Sequence, residues 1–191
     1  DLIAKTGIKL TSLNRIISPM IKAGLIKKTG IGESTGGRRP VLFDIDKWYA
    51  YILGIDISRM YTNIIIANLK METVASFGFP MTSRHTPDVT VKTIYETVAQ
   101  VADSLQISWD MFAGVGLGTV GPLNKEEGIV LHPINFPANG WNQVPIKKLM
   151  ENKFNLPVII DNGANTAVIG EMLFFFLKER KNIAYVNCGV G

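Results

Sequence analysis

From residue 51 the chain runs through three apolar, β-branched stretches in close succession, 51–57, 62–69 and 73–79, separated only by short turn-forming pieces such as Lys70-Met71-Glu72. Connections this short leave hairpins as the way to pair neighbours, so an antiparallel meander is predicted. The period then changes. Val91, Ile94, Tyr95, Val98, Val101, Ala102 and Leu105 recur at three and four and mark one face of a helix. A strand over 114–118, a helix over 144–152, a strand over 158–161, a helix over 165–178 and a strand over 183–187 continue the alternation. A meander followed by alternating helices and strands makes a mixed α/β sheet, with ligands expected at the C-terminal ends of strands.

Residues 1–47 follow another pattern and carry another charge. The first 40 residues hold eight basic and two acidic side chains, net +6, whereas the other 151 hold 12 basic and 14 acidic, net −2. A nucleic-acid-binding head and a solvated lysine-rich surface both fit that asymmetry. Local order adds to it. A helix end at Lys5, a turn at Thr6-Gly7-Ile8 and a second helix capped by Thr11 or Ser12 and running to about Ala23 are predicted, with Pro19 as a point of kinking or early termination and Gly24 as the stop. Leu13, Ile16, Ile17, Met20 and Ile21 form its apolar stripe. Strands near Leu25 to Lys28 and Val41 to Phe43 flank a loop rich in Gly, Ser and Thr.

Two helices joined by a short turn and followed by a hairpin are the order of a winged helix-turn-helix, although an ordinary amphipathic helix pair carries the same stripe. On the polar face of the second helix Arg15 suits a guanine edge, Asn14 an adenine edge, and Thr11 or Ser12 a phosphate. Lys28 adds charge at the first wing strand. Gly36-Gly37-Arg38-Arg39-Pro40 reads as a thin basic arm for a narrow minor groove, with Arg38 and Arg39 as its contacts.

Composition narrows the classes. Hydrophobic residues make up 47% and charged residues 19%, too apolar for a disordered chain. The single cysteine, Cys188, precludes an internal disulfide, and the densest apolar run, 172–177, is far short of the ~20 residues a spanning helix needs. No membrane association and a reducing, cytoplasmic setting are therefore expected. Burial in the core or a contact between subunits both account for that run. The start at Asp1 and the end inside a glycine-rich stretch suggest a piece of a longer protein.

Several segments in a fixed order now allow a comparison with known families. TGIKLTSLNRIISPMIKAGLI, GGRRPVLFDID, LGIDIS, GLGTVGPL, LHPINFPANGW, VIIDNGANTAVIGE and the terminal VNCGVG together resemble the ROK family (repressors, open reading frames and kinases) in its transcriptional-repressor branch. The resemblance implies an α/β, actin-like and ribonuclease-H-like sugar-kinase domain over 48–191, its second lobe barely begun at Gly191, preceded by a winged helix-turn-helix head over 1–47. It also implies a double-stranded DNA operator and a sugar or sugar-phosphate effector as partners, with a homodimer as the working form. The family's zinc-binding cysteine and histidine cluster falls beyond Gly191, so no cofactor or metal is expected from these residues.

Departures from the family pattern bear on chemistry. ROK kinases follow the first strand with Asp-Ile-Gly-Gly-Thr, whose small residues let backbone N–H groups approach phosphates. Here Asp56-Ile57 precedes Ser58-Arg59-Met60, so Asp56, with Gly189 and Gly191 of the second phosphate loop, is expected to be a vestige of nucleotide binding. The kinase aspartate that takes the sugar's proton is replaced by Gly163 in Asn162-Gly163-Ala164-Asn165. No catalytic residue is therefore expected. Sugar contacts are expected from Gly121, Asn135, Asn162 and Gly163, while Asn162 and Asn165 are equally well explained as helix caps. His132 and His85 are expected to play structural or surface roles. A degenerate, sugar-sensing repressor of carbohydrate-use genes is the favoured reading; an ATP-dependent kinase of a hexose or N-acetylhexosamine is the alternative.

Overall fold

The structure, a computed structural model, describes residues 2–32, 39–174 and 183–186. It divides into two compact units: residues 1–50 together with 68–72, and residues 51–67 together with 73–191.

The first unit holds helices α1 (Leu2–Thr6) and α2 (Leu10–Lys22) and strands β1 (Ile26–Ile31) and β2 (Val41–Ile45). The turn between the helices passes through Gly7 at φ +68°. α2 starts one residue before the expected caps: Lys9, in extended backbone, is the N-cap and no side chain closes the end, so neither Thr11 nor Ser12 caps it. Both instead lie inside the first turn. The helix runs through Pro19 to Lys22, because proline withholds one N–H but its fixed φ is helical. It stops at Gly24, which takes φ +84°. There the Leu25 N–H donates to the Met20 carbonyl at 3.0 Å and the Gly24 N–H to the Ile21 carbonyl at 3.0 Å, the paired closure that a left-handed residue permits.

Only part of the predicted stripe is buried. Leu13 and Ile17 are covered, Ile21 is half-buried, and Ile16 and Met20 stay exposed at 48% and 36%. The i, i+4 pair 13/17 shares the buried face of the helix, and the neighbouring pair 16/20 lies on an exposed one. β1 and β2 pair antiparallel from Ile26↔Ile45 to Ile31↔Val41, with an irregularity between Lys28 and Gly30. Residues 68–72 join this unit through Lys47 Nζ to Glu72 (2.9 Å) and Lys70 to Asp44.

The second unit is built on a five-stranded mixed sheet in the order β5-β4-β3-β6-β9. β3 (Tyr51–Ile57), β4 (Tyr61–Asn68) and β5 (Thr73–Pro80) form the expected meander, with β4 and β5 antiparallel. β6 (Phe112–Thr119) and β9 (Val158–Asn162) run parallel to β3. In β3, alternate residues Tyr51, Leu53, Ile55 and Ile57 are buried, the period of two that a pleated strand imposes. Helices α3 (Pro87–Ser104) and α4 (Ile146–Phe154) supply Val91, Ile94, Val98, Ile146, Met150 and Phe154 to the same core.

α3 begins with Pro87, whose missing N–H is not needed there. Leu105, expected on its apolar face, lies past its end and is 42% exposed. α4 begins and ends two residues later than predicted, at a left-handed Asn155 (φ 52°) whose N–H closes on the Glu151 carbonyl at 2.8 Å. That extension places Phe154 against Tyr95 (5.3 Å, edge to face) and Trp109 (5.9 Å), with the Trp109 indole N–H donating to the Phe154 carbonyl at 3.3 Å.

Further expectations change. The two-residue strands β7 (Leu123–Asn124) and β8 (Ile129–Val130) form a small hairpin too short to leave a period of two. Helix α5 (Gly163–Phe174) starts directly after β9 and has no fully buried residue. Leu173 and Phe174 are more than half exposed in this chain; 175–177 lie outside the described residues. Ile183 to Val186 carry no strand, and Asn187 and Cys188 lie outside the described residues. His85 is more than a surface loop residue. It is half-buried, stacks on Phe79 at 5.1 Å, and its Nδ1 accepts the Thr82 N–H at 3.0 Å.

Candidate functional site

Parallel pairing brings three strand ends to one level: Asp56 lies opposite Gly118, which lies opposite Asp161, and one step further Ile57, Thr119 and Asn162 align. Beyond this edge opens a cleft of about 600 Å³, lined by β3's end with Ser58, Arg59 and Met60, by Thr119, Val120 and Gly121, by the start of α5, and by Tyr185. The C-terminal end of parallel strands is where an open α/β sheet holds ligands.

Backbone proximity shapes the floor. A Cβ at Gly163 would stand 3.2 Å from Asp56 Oδ1, and one at Gly118 3.0 Å from the same oxygen. A Cβ at Gly121 would come within 2.9 Å of Asn162 Nδ2. These glycines let Asp56 and Asn162 occupy the cleft. Asn162 serves its cap as well: its Oδ1 accepts the Ala164 N–H at 2.9 Å, while Nδ2 has no hydrogen-bond partner among the described residues. The cap thus uses one atom of the side chain, and Asn162 also lines the cleft. Asn165 does not cap; its Nδ2 donates to Asp161 Oδ1 at 2.8 Å.

The two aspartates at the strand ends differ in electrostatics. Burial raises the pKa of Asp56 from the ordinary carboxylate value. Asp161 is not among the residues that line the cleft: Lys125 binds it, Asn165 and the Asn162 N–H also donate to it, and these bonds, Lys125 first, lower its pKa despite partial desolvation. A depressed folded-state pKa stabilises the fold above the unfolded value of 3.8, and that contribution is lost as pH falls through the folded pKa. Lys125→Ala is therefore expected to lower the Tm at neutral pH and to converge with the parent in acid, once Asp161 is protonated in both; a pH series of thermal melts reads the difference.

The turn after β3 is closed on itself. Both the Ser58 N–H (3.1 Å) and the Ser58 hydroxyl (2.7 Å) donate to the Tyr61 carbonyl, and the Tyr61 N–H lies 3.2 Å from the Ser58 oxygen. The Ser58 and Tyr61 donors of this turn are thus engaged within it. The Arg59 Nε donates to the Ile134 carbonyl at 2.7 Å.

The remaining expected residues fall elsewhere. Asn135, at φ 55°, does not line this cleft; it lies with His132, Asn139 and Trp141 around a second hollow of about 410 Å³. On the first unit, Thr11, Ser12, Asn14 and Arg15 are all exposed on one helix, and Lys28 and Arg39 are exposed on and beside the hairpin. Arg38, Gly189 and Gly191 lie outside the described residues. The sequence reading missed the Ser58–Tyr61 closure, although a serine opening a short turn is its signal. It also missed Thr119 and Tyr185, which carry none. Among the described residues no group of three His, Cys, Asp or Glu side chains could hold a metal ion, and no helix is long and apolar enough to cross a membrane.

A mixed sheet with a cleft at the ends of three parallel strands is the ligand-holding arrangement of an open α/β domain. The family model that matches residues 52–191 is the ROK family, and the chain belongs to it. It is 31% identical over its whole length to the xylose repressor of Caldicellulosiruptor bescii, of which it covers 48%. A glucokinase of Halalkalibacterium halodurans is 27% identical over 76% of the chain and 42% of that protein. In fold, it matches the crystal structure of a ROK family transcriptional regulator homologous to the E. coli MLC protein, with a TM-score of 0.69 and 20% identity over 91% of this chain and 43% of that one. The chain spans about half the length of the curated relatives it matches over its full extent.

Proposed function

We propose that the chain belongs to a sugar-responsive, DNA-binding transcriptional repressor with a kinase-like domain that no longer transfers phosphate. Residues 1–47 act as a winged helix-turn-helix head and residues 48–191 as the sensing domain. The observation that carries the reading is the exposed polar face of α2, with Arg15, Asn14, Ser12 and Thr11 on one helix of the basic first unit. A symmetric pair of such heads would read two half-sites, which gives the contact area one small module lacks. Ligand binding in the second unit would then bias DNA affinity through different ligand affinities in two arrangements of the dimer. Such a repressor works on DNA in the cytoplasm.

Loss of phosphoryl transfer is supported by the Ser58–Tyr61 closure and by Gly163 at the position of the family's proton-accepting aspartate. Relatives named xylose repressors make D-xylose the first effector to test. The similarity to a glucokinase keeps a kinase as the second reading.

Mobility shift on DNA flanking its own gene, with and without D-xylose across a salt series, tests the proposal. A retarded complex is expected whose association constant falls with a log–log slope of about −0.9 per phosphate contact. Absence of a complex at low salt would sink it. Incubation of hexoses and N-acetylhexosamines with ATP is expected to leave no phosphorylated product by mass spectrometry; turnover would instead establish the kinase.

A further inference from the structure

We propose that Asp56 is the hydroxyl acceptor for an uncharged sugar in the strand-end cleft and that it makes this cleft discriminate against phosphorylated sugars. The inference rests on the reading of the cleft as an effector site and replaces the expected role of Asp56 as a remnant of nucleotide binding.

Three observations converge on this carboxylate. Asp56 lines the cleft, yet no hydrogen bond or ion pair reaches its side chain from any described residue, whereas Asp161, at the same level two strands away, is fully engaged. A half-buried carboxylate without a donor is costly unless a ligand supplies one. Next, Gly118 and Gly163 both lack the atom that would stand within 3.2 Å of Asp56 Oδ1, so the backbone holds space around that oxygen. Lastly, the Thr119 hydroxyl is buried with no partner among the described residues, and Thr119 also lines the cleft. Burial also raises the Asp56 pKa from the ordinary carboxylate value.

Hydroxyl groups meet these needs, because each O–H can donate to Asp56 and accept from Asn162 Nδ2. A phosphate cannot. It has no donor when ionised, and it would face a carboxylate of like charge. The Ser58 N–H and hydroxyl are both held by the Tyr61 carbonyl. Arg59 is the sole cation among the described lining residues; its Nε is held by the Ile134 carbonyl, which leaves its Nη donors as the one cationic contact a phosphate could find.

Titration calorimetry on the full-length protein distinguishes the cases, using D-xylose, D-glucose, D-xylose 5-phosphate and D-glucose 6-phosphate as probes. At least one free sugar is expected to bind, with its phosphate ester at least about tenfold weaker. Asp56→Asn, which keeps the shape but loses the charge, is expected to weaken the free sugar by about tenfold or more and to narrow the gap between free and phosphorylated forms. Asp56→Glu is expected to retain part of the affinity if the carboxylate itself is the acceptor. Thermal melts establish that both variants are folded. Tighter binding of a phosphate ester, unchanged affinity in folded Asp56→Asn, or no binding of any probe by the parent protein overturns the proposal. The repressor reading fails separately, through absence of the DNA complex, a result that leaves these affinities untouched.

Discussion

Phe154→Ala is expected to lower the free energy of unfolding of the second unit by about 3–5 kcal/mol, the range for removing a fully buried aromatic ring. Phe154 is 1% exposed at the end of α4, where its ring meets Tyr95 and Trp109. Such ring pairs add about 0.5–1.5 kcal/mol beyond burial alone. The cavity would open where α3, α4 and β9 meet, three elements that cannot all close in on it because β9 is tied by its ladder to β6. Chemical denaturation reads the change, with Leu173→Ala on the exposed side of α5 as a control expected to stay within about 0.5 kcal/mol. A loss under about 1 kcal/mol for Phe154→Ala would contradict the packing described. The effect should reach the cleft, since β9 ends in Asn162.

Arg15→Ala is expected to weaken specific DNA binding by roughly 10- to 100-fold, the worth of about 1–3 kcal/mol for a bidentate contact with a base edge, and to relax preference at one base pair. Arg15 is exposed near the middle of α2 and is not needed for the buried pair Leu13 and Ile17, so the variant should fold as the parent does. Arg39→Ala tests the other kind of contact. An exposed arginine beside the hairpin that touches phosphate or groove would weaken all sequences alike and lower the salt slope by about one. Equal effects on operator and random DNA from Arg15→Ala would remove the base contact assigned to it.

Long apolar periods were the most readable part of this chain. The meander, the parallel pair that follows it and helix α3 all announce themselves, because each buries a face whose repeat of two or 3.6 is visible in the residues. Ends were less readable. Lys9 caps α2 by backbone conformation alone, and Asn155 stops α4 by a left-handed turn; neither choice follows from the apolar pattern.

The cleft was legible residue by residue but not as an assembly. Asp56, Gly121, Asn162 and Gly163 come together because three parallel strands end at one level, a fact of register. Asn135 went elsewhere because the loop that bears it is positioned by long-range contacts, such as the bond from Arg59 to Ile134, which the local sequence does not encode. The missing glycines after Asp56 were evident at once; that Ser58 and Tyr61 would bond each other took coordinates to see.

The closed turn after β3 has a consequence for what the protein can measure. An enzyme that needs two substrates reports on both, and a sugar kinase idles whenever ATP is scarce. With the Ser58 donors held by Tyr61, those two donors are not free for a second, phosphate-bearing ligand; a sensor that takes its sugar alone has an occupancy set by a single concentration against a single dissociation constant. A regulator of that design answers to the presence of its sugar in starved and well-fed cells alike.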